Sequence, residues 1–271
     1  MIYRKITPSP LLTSYVECFY IWESDVMLSS DILIESPPTG YTSMVFNYGT
    51  AHRIINNKYK SQFTPAAFIS GQSTRRYQLQ IGGKLGMIGV VFKPSALNTL
   101  FGIPMFEITD ERVEISQVLG REGSELYERI LESGTIQMKV DCVEQFLLRK
   151  VSQNKSPFDK NDFVSNLIFE KKGVISLKEL QDDLFICRRQ FQRQFLRKVG
   201  VSPKYFARIS RISNLCALMA RKNWKIEDWH DLVLQYGYYD QSHFIREFTE
   251  FMDEVPSVYV KSNTELANYL R

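Results

Sequence analysis

The sequence is poor in the residues from which metal sites and disulfide frameworks are built. Its 271 residues include only three histidines and four cysteines, and it has no C-x-x-C pair. The cysteines stand far apart, at Cys18, Cys142, Cys187 and Cys216. This spacing argues against a zinc ribbon and against a disulfide framework, and it favours a reducing, cytoplasmic compartment. The first half holds a single histidine, His52, so it cannot supply the histidine cluster of a metal enzyme.

Long hydrophobic runs and catalytic pairings are also missing. The longest apolar run, Leu85 to Phe92, is far too short to span a bilayer and predicts a buried strand. No apolar core of a signal peptide follows the first residues. Any Ser/His/Asp or Cys/His arrangement in the first half would have to use His52, which we expect to be exposed at a turn. We therefore expect no membrane insertion, no catalytic activity, no metal and no cofactor.

The pattern of the sequence changes along the chain and predicts two domains. An apolar content of 44% and a charged content of 24% are typical of a globular protein, and the length suits two domains. Segments such as 43–48 and 86–92 are β-branched, aromatic and bounded by turn residues, which indicates strands. Residues 120–150 repeat at helical spacing. We predict a β-sandwich or barrel-like domain with flanking helices over residues 1–152, and a linker at Ser152–Pro157.

The second predicted domain, residues 157–271, is all-α, which makes the whole an α+β multidomain fold. Seven helices are expected, at about 159–172, 177–184, 188–199, 203–222, 226–236, 241–252 and 256–269. Ser202 and Pro203 form an N-cap followed by a proline in the first turn. The short helices suit a first helix-turn-helix unit at about 175–200, a linker helix at about 203–222 and a second unit at about 226–252.

A basic stretch stands out in a chain whose net charge is only +4. Between Leu184 and Ile226 there are eleven lysines and arginines and no aspartate or glutamate. They are Arg188, Arg189, Arg193, Arg197, Lys198, Lys204, Arg208, Arg211, Arg221, Lys222 and Lys225. Such an excess is typical either of a surface that binds a polyanion or of a solvated face.

A sequence repeat favours the polyanion. Six positions in the basic stretch have counterparts 53 residues later. The pairs are Cys187 and Asp240, Phe191 and Phe244, Arg193 and Arg246, Phe195 and Phe248, Pro203 and Pro256, and Phe206 and Tyr259. A helical unit is therefore used twice, and its first copy is strongly basic.

The second helix of each unit is expected to enter the major groove of DNA by its N-terminal residues. In the helix predicted at 188–199, two phenylalanines share one face and should be buried. The opposite arc carries Arg188, Arg189, Gln192 and Arg193, and Arg197 follows one turn later. Guanidinium forks suit guanine or phosphate, and the amide suits adenine. In the helix at 241–252 the corresponding arc carries Gln241, Ser242, Ile245 and Arg246, with His243 at its edge.

Two segments carry a specific pattern: Tyr236–Phe248, which reads YGYYDQSHFIREF, with VPSVY at 255–259, and 175–203 with its RQFQRQF and GVSP elements. They resemble the two motifs in the DNA-binding domain of the AraC/XylS family of transcription regulators. The resemblance implies two modules that reach successive major grooves on one face of DNA. Carried over residue by residue, the base contacts fall on Arg189, Gln192, Arg193, Gln241, Ser242, Ile245 and Arg246. Two departures are that Phe185 and Asp253 stand where the family usually has glycine.

The two units differ in charge. Residues 227–254 hold eight acidic residues against Arg246 as the one lysine or arginine. We hypothesise that the first unit and the linker helix supply most of the affinity for DNA, and that the second unit adds register or weaker reading.

The first half resembles the uncharacterised, cupin-like N-terminal domains that precede such a DNA-binding module. Candidate walls of a ligand pocket are Tyr20, Trp22, Phe46, Tyr48 and Phe92; the alternative for each is ordinary core. The helices at 120–150 either form a dimer interface or pack on the sheet. Cys187, at the N-cap of a basic helix, is either a redox-sensitive thiol or a poor cap.

We therefore predict a sequence-specific DNA-binding transcription regulator without enzymatic activity. Its expected partners are double-stranded promoter DNA, RNA polymerase, a small-molecule effector and a second copy of the chain. The alternative is a DNA-binding regulator whose N-terminal domain is a ligand-independent protein-interaction module.

Overall fold

The computed structural model describes residues 1–56, 60–154, 158–183, 187–222, 224–226 and 229–262. Three sequence predictions fall outside these residues. They are the end of the linker at 155–157, the packing of Phe185 in the first turn, and the continuation of the last helix beyond 262.

The first half forms two antiparallel sheets. The strands are β1 (Ile2–Ile6), β2 (Val16–Glu23), β3 (Leu28–Ser36), β4 (Thr42–Asn47), β5 (Arg53–Ile55), β6 (Gln62–Phe63), β7 (Ala67–Ser70), β8 (Tyr77–Gly83), β9 (Gly86–Phe92) and β10 (Arg112–Glu114). The larger sheet has the order β1-β2-β9-β4-β7-β10, and the smaller has the order β3-β8-β5-β6. The two strands predicted from β-branched segments are thus β4 and β9, at the centre of the larger sheet.

The larger sheet is buried on both faces, because successive side chains of a strand point to opposite sides. In β4, Met44 and Phe46 join a core on one face, and Val45 between them joins a core on the other. The second core also includes Ile34 of β3 and Ile81 of β8, which belong to the smaller sheet. The two sheets therefore pack against each other as a sandwich.

The first half also contains three α-helices: α1 (Ala96–Phe101) lies between β9 and β10, and α2 (Ile115–Glu132) and α3 (Ile136–Gln153) follow β10. Their apolar side chains, including Leu126, Ile130, Val143 and Phe146, share a core with the outer face of the larger sheet. The helical stripes predicted at 120–150 are thus covered within the chain itself. Leu131, which directly follows the buried Ile130, is 50% exposed.

The second half contains the seven predicted helices. They are α4 (Lys160–Glu170), α5 (Leu177–Asp183), α6 (Arg188–Val199), α7 (Pro203–Arg221), α8 (Trp229–Gln235), α9 (Gln241–Met252) and α10 (Pro256–Ser262). The predicted bounds of α6 and α9 are confirmed at both ends. The hydroxyl of Ser202 accepts a hydrogen bond from the backbone N–H of Tyr205 at 3.2 Å, which confirms it as the N-cap of α7.

The helices share a core with the inner face of the sandwich. Phe206, Ile209 and Ile212 on one face of α7 are fully buried in the same cluster as Trp22 and Val45 of the sheet. The loop before β4 reaches into this junction, where the ring of Tyr41 lies 4.6 Å from that of Phe169 on α4. The two halves therefore pack on one another through apolar contacts.

Two further points concern absences expected from the sequence. Within the described ranges, no helix has the length and apolarity needed to cross a membrane. The expectation that His52 is exposed is wrong, because its side chain is 2% exposed. Its carbonyl accepts hydrogen bonds from the backbone N–H and the hydroxyl of Thr64, which hold this connection inside the smaller sheet. Burial, assisted by the charge of Arg112, lowers the pKa of His52 to about 4.

Candidate nucleic-acid interface

Helices α6 and α9 are the two helices that the sequence predicts to read DNA, and they are called the reading helices below. The first of them, α6, is anchored by its apolar side. Phe191 and Phe195 are 1% and 0% exposed, and their ring centroids lie 5.6 Å apart. Phe195 also contacts Phe206 of α7, with ring centroids 5.9 Å apart. Burying a side chain of this size contributes roughly 2–3 kcal/mol. The predicted inward face of α6 is confirmed.

The opposite side of α6 faces solvent. The five residues placed on it from the sequence are all exposed: Arg188, Arg189, Gln192, Arg193 and Arg197. Because residues three and four apart lie on one face of a helix, these side chains form a continuous polar strip from the first turn to the third. The strip offers four guanidinium groups and one amide.

The second reading helix, α9, repeats this geometry. Phe244 and Phe248 are 1% and 0% exposed and pack edge to face at 5.7 Å. Gln241, Ser242 and Arg246 are exposed. Two further predicted positions are half-buried: Ile245 packs against the core, and the ring of His243 contacts that of Tyr238. The free reading surface of α9 is therefore narrower than that of α6.

The two helices begin differently. The carboxylate of Asp240 accepts a hydrogen bond from the backbone N–H of His243 at 2.6 Å, so α9 has a strong N-cap. Cys187 occupies the corresponding position of α6 and is exposed, and its thiol makes no capping hydrogen bond of ordinary geometry. The backbone N–H groups of Gln190 and Arg189, and then the charge of Arg189, nevertheless lower the pKa of this thiol.

Two exposed side chains on this surface were not among the site residues predicted from the sequence. Leu196 is 40% exposed and lies on the outer arc of α6, one turn after Gln192 and Arg193. Tyr239 is 88% exposed and directly precedes the N-cap of α9. Helical geometry alone places Leu196 on the arc, but an apolar side chain there gives no hydrogen-bonding signal. Tyr239 lies in a turn, where periodicity carries no information about exposure.

Two acidic residues of α9, Glu247 and Glu250, pair with arginines of the linker helix α7. Glu247 is 5% exposed and lies 2.8 Å from the Nε of Arg208, and it accepts a hydrogen bond from the hydroxyl of Tyr238 at 2.9 Å. Arg211 lies 3.9 Å from the same carboxylate. The carboxylate of Glu250 also accepts a hydrogen bond from a guanidinium nitrogen of Arg208 at 3.2 Å. These carboxylates therefore pair with two cations of α7.

A third cation of the basic stretch is paired within the chain. The ammonium of Lys198 lies 2.6 Å from Asp162 and 3.0 Å from Asp159, both at the start of α4. Burial would raise the pKa of Asp159, but the hydrogen bond and charge of Lys198, with backbone N–H donors, lower it. Among the described residues, eight of the eleven cations have no such ion pair: Arg188, Arg189, Arg193, Arg197, Lys204, Arg221, Lys222 and Lys225.

Two clefts adjoin the reading helices. One, of about 630 Å³, lies between the two halves. It is lined by residues that include Lys150, Asp159, Arg197 and Lys198, and by residues 98–100 of α1 and Gly102 after it. The other, of about 600 Å³, lies between α7 and α9 and is lined by residues that include Lys204, Arg208, Arg211, His243 and Arg246. Both volumes are in the range of small-molecule sites.

The five aromatic residues expected to wall one pocket in the first half do not lie together. Trp22 is buried between the two sheets, and Tyr20 packs against the same core. Phe46 and Phe92 are fully buried on the other face of the larger sheet, where Tyr48 also packs. The sheet therefore divides the set into two groups.

Comparison with protein families gives two matches on this chain. Residues 180–262 match a family described as a helix-turn-helix domain. Residues 4–114 match a domain of unknown function. No curated protein matches the sequence.

Several solved structures are similar over most of the chain. ToxT of Vibrio cholerae O395, bound to (E)-4-(8-methylnaphthalen-1-yl)but-3-enoic acid, is 16% identical, with 89% of this chain and 98% of that chain covered and a TM-score of 0.46. An apo form of ToxT from V. cholerae strain SCE256, carrying one substitution, is 14% identical, with 95% and 99% covered and a TM-score of 0.45. The AraC-like transcriptional activator CuxR is 10% identical, with 76% and 92% covered and a TM-score of 0.27.

Proposed function

We propose that this protein, whose C-terminal region is an AraC-type helix-turn-helix domain, regulates transcription by reading a specific DNA site with α6 and α9. One observation carries the proposal. Two helices of equal length, offset by 53 residues, each bury two phenylalanines and expose a polar arc at their N-terminal ends. A helix that enters the major groove requires an exposed N-terminal arc of this kind.

The side chains on the two arcs suit different tasks. Arg189 and Arg193 on α6 can each bind the O6 and N7 atoms of a guanine, and Gln192 between them can bind an adenine. On α9, Gln241 and Arg246 supply one amide and one guanidinium group. The remaining exposed cations of α6 and the start of α7 are suited to phosphate contacts, which fix the position of the protein but carry no sequence information.

The first half is proposed to control this reading. Its apolar junction with the C-terminal helices allows a change in the first half to alter the placement of the reading helices. The 630 Å³ cleft, which lies elsewhere between the two halves, is a candidate effector site. A second candidate role, a ligand-independent protein-interaction module, is favoured by one observation. The aromatic residues expected to wall one pocket are divided between two faces of a sheet.

Selection of binding sites from a random duplex pool, with the purified full-length chain, tests the DNA-reading proposal. Two short enriched blocks about one helical turn apart are expected, because two modules on one DNA face meet the major groove at that interval. Absence of any enriched sequence would contradict the proposal. Fragments that bind the protein equally well regardless of sequence would reduce its role to non-specific contact.

A thermal-shift screen of the full chain against small metabolites separates the two roles of the first half. A ligand that binds the folded state raises the melting temperature in a concentration-dependent way. A reproducible rise that also changes DNA affinity supports effector control. A flat screen, together with a protein partner recovered on the first half, supports the interaction module.

A further inference from the structure

Both reading helices end in the same way, and both ends touch the first half of the chain. The C-cap of α6 is Gly200, with φ of 95°, and the C-cap of α9 is Asp253, with φ of 57°. The two positions are 53 residues apart, so they are equivalent in the repeat. The polar arcs proposed to read DNA lie at the opposite, N-terminal ends. The first half can therefore hold both helices without covering their reading residues.

The end of α6 is held by the segment at 105–109. The hydroxyl of Thr109 donates a hydrogen bond to the carbonyl of Gly200 at 2.9 Å. A β-carbon at position 200 would lie 2.8 Å from the Thr109 hydroxyl and 2.9 Å from the carbonyl oxygen of Met105. Glycine is therefore required here both for its left-handed conformation and for this close approach.

The end of α9 is held by Arg75 and Arg76. The backbone N–H of Arg76 donates to the carbonyl of Phe251 at 3.0 Å, and its guanidinium group binds Glu254 and also Glu35, the latter at 2.7 Å. Arg75 binds the carbonyl of Glu250.

The Arg75 guanidinium also lies 3.5 Å from the carboxylate of Asp253. The aspartate that replaces the glycine usual in the family at this cap thus makes an ion pair with the first half. A left-handed conformation is strained for a residue with a side chain, so this contact offers a reason for the departure.

One side chain joins the two holding segments. The carboxylate of Asp110 accepts two hydrogen bonds from Thr74, one from the backbone N–H and one from the hydroxyl, both at 2.6 Å. Asp110 directly follows Thr109, and Thr74 directly precedes Arg75. Asp110 is also left-handed, with φ of 61°. The contact at the end of α6 and the contact at the end of α9 are therefore linked through this pair of side chains. Backbone hydrogen bonds from Asp110 to the carbonyl of Gln72, at 2.8 Å, and from Gly71 to the carbonyl of Glu111, at 3.2 Å, join the same two segments.

We infer that Asp110 and Thr74 form a brace that fixes the separation of α6 and α9, and that Asp110 is a positioning residue for the spacing of the two DNA blocks. The inference rests on the proposed DNA-reading function. It assigns to the first half a geometric task that is separate from base recognition. Without the brace, each helix should still select the same bases, but the protein should accept a wider range of spacings between the two DNA blocks.

The first test repeats the random-duplex selection with Asp110→Gly, which keeps the left-handed backbone and removes the carboxylate. Wild-type protein should discriminate against a one-base-pair change in block spacing on the order of tenfold, similar to the loss of one base contact. The Asp110→Gly variant should discriminate less than about threefold between the same two spacings, and the sequences of its two selected blocks should be unchanged. Asp110→Asn, which can still bond Thr74 through its amide, should restore the preference. Thr74→Val should relax it without altering the backbone at 110.

Asp31→Ala is the matched control, because Asp31 makes a comparable 2.7 Å hydrogen bond to Gln80 on the smaller sheet, outside the brace. It should keep the wild-type spacing. A merely structural role for Asp110 predicts equal weakening at all spacings, and this result would overturn the inference.

A second measurement needs no DNA. Spin labels at Cys187 and at Ser242→Cys, in a full chain with Cys18 and Cys142 replaced by serine, report the separation of the two reading helices. A narrow distance distribution that broadens in Asp110→Gly and recovers in Asp110→Asn supports the brace. An unchanged distribution overturns it, even if DNA selection gives two blocks. A broadened distribution with no selected DNA sequence would instead leave the brace standing and refute the proposed function.

Discussion

The salt dependence of DNA binding distinguishes free cations from those already paired within the chain. If all eleven cations of the basic stretch met phosphates, the slope of log K against log salt concentration would be about −10. Lys198, Arg208 and Arg211 are neutralised by carboxylates of the protein, which leaves eight. Three of these eight lie at the far end of α7 or beyond it. Adding Arg246 of α9 to the other five gives six cations near the reading surfaces, so we expect a slope between about −5 and −7.

Two single substitutions make this reasoning specific. Arg193→Gln removes an exposed cation and should reduce the magnitude of the slope by about 0.9. Arg211→Gln removes a cation whose side chain is 16% exposed and lies beside Glu247, so the slope should stay within about 0.3 of wild type. Fluorescence anisotropy with a labelled duplex between about 50 and 200 mM salt, the range in which such proteins lose much of their affinity, measures both. Equal reductions in the two variants, or a wild-type slope near −10, would refute the distinction.

Three further predictions concern stability and redox chemistry. Glu247→Ala should lower the free energy of unfolding by about 3 kcal/mol, because it removes a 5% exposed carboxylate that pairs with Arg208 and Arg211 and accepts from the Tyr238 hydroxyl. Glu250→Ala, at a more exposed carboxylate, should cost less than about 1 kcal/mol. Urea denaturation compares the two variants, and equal losses would contradict this. Since the pKa of His52 is lowered from 6.5 to about 4, the unfolded chain binds more protons in that interval, so stability should fall by up to about 3 kcal/mol as the pH drops from 6.5 to 4. His52→Gln should lack this slope, and parallel curves would show that His52 is not its source. Mild peroxide should weaken DNA binding by the wild-type protein and leave DNA binding by Cys187→Ser unchanged. An equal loss of binding in the two proteins would show that the Cys187 thiol is not the site of oxidation.

The bounds and inward faces of the reading helices were predictable because their signals are local. Phe191 and Phe195, or Phe244 and Phe248, mark one face at helical spacing, and Asp240 and Ser202 mark N-termini. These signals act within one turn or one helix. Such signals therefore predict the bounds of a helix and its buried face whatever the rest of the fold is.

Features that depend on contacts between distant segments were not predictable. The acidity of the second unit suggested weak DNA binding, yet Glu247 and Glu250 pair with a cation on α7 about 40 residues earlier. His52 was expected at the surface because it follows a turn, but a hydrogen-bonded connection to Thr64 buries it. The charge argument for a dominant first unit now rests on the four exposed arginines of α6 against the single arginine of α9.

The central claim is that α6 and α9 each read their own block of one DNA site. Binding-site selection with Arg193→Ala and Arg246→Ala, run beside the wild-type chain, tests it most directly. The account predicts that Arg193→Ala degrades one block and Arg246→Ala the other, and that Arg193→Ala loses more affinity. Equal losses would contradict only the dominance of the first unit. Degradation of the same block by both substitutions, or uniform weakening with neither block changed, would contradict the claim itself.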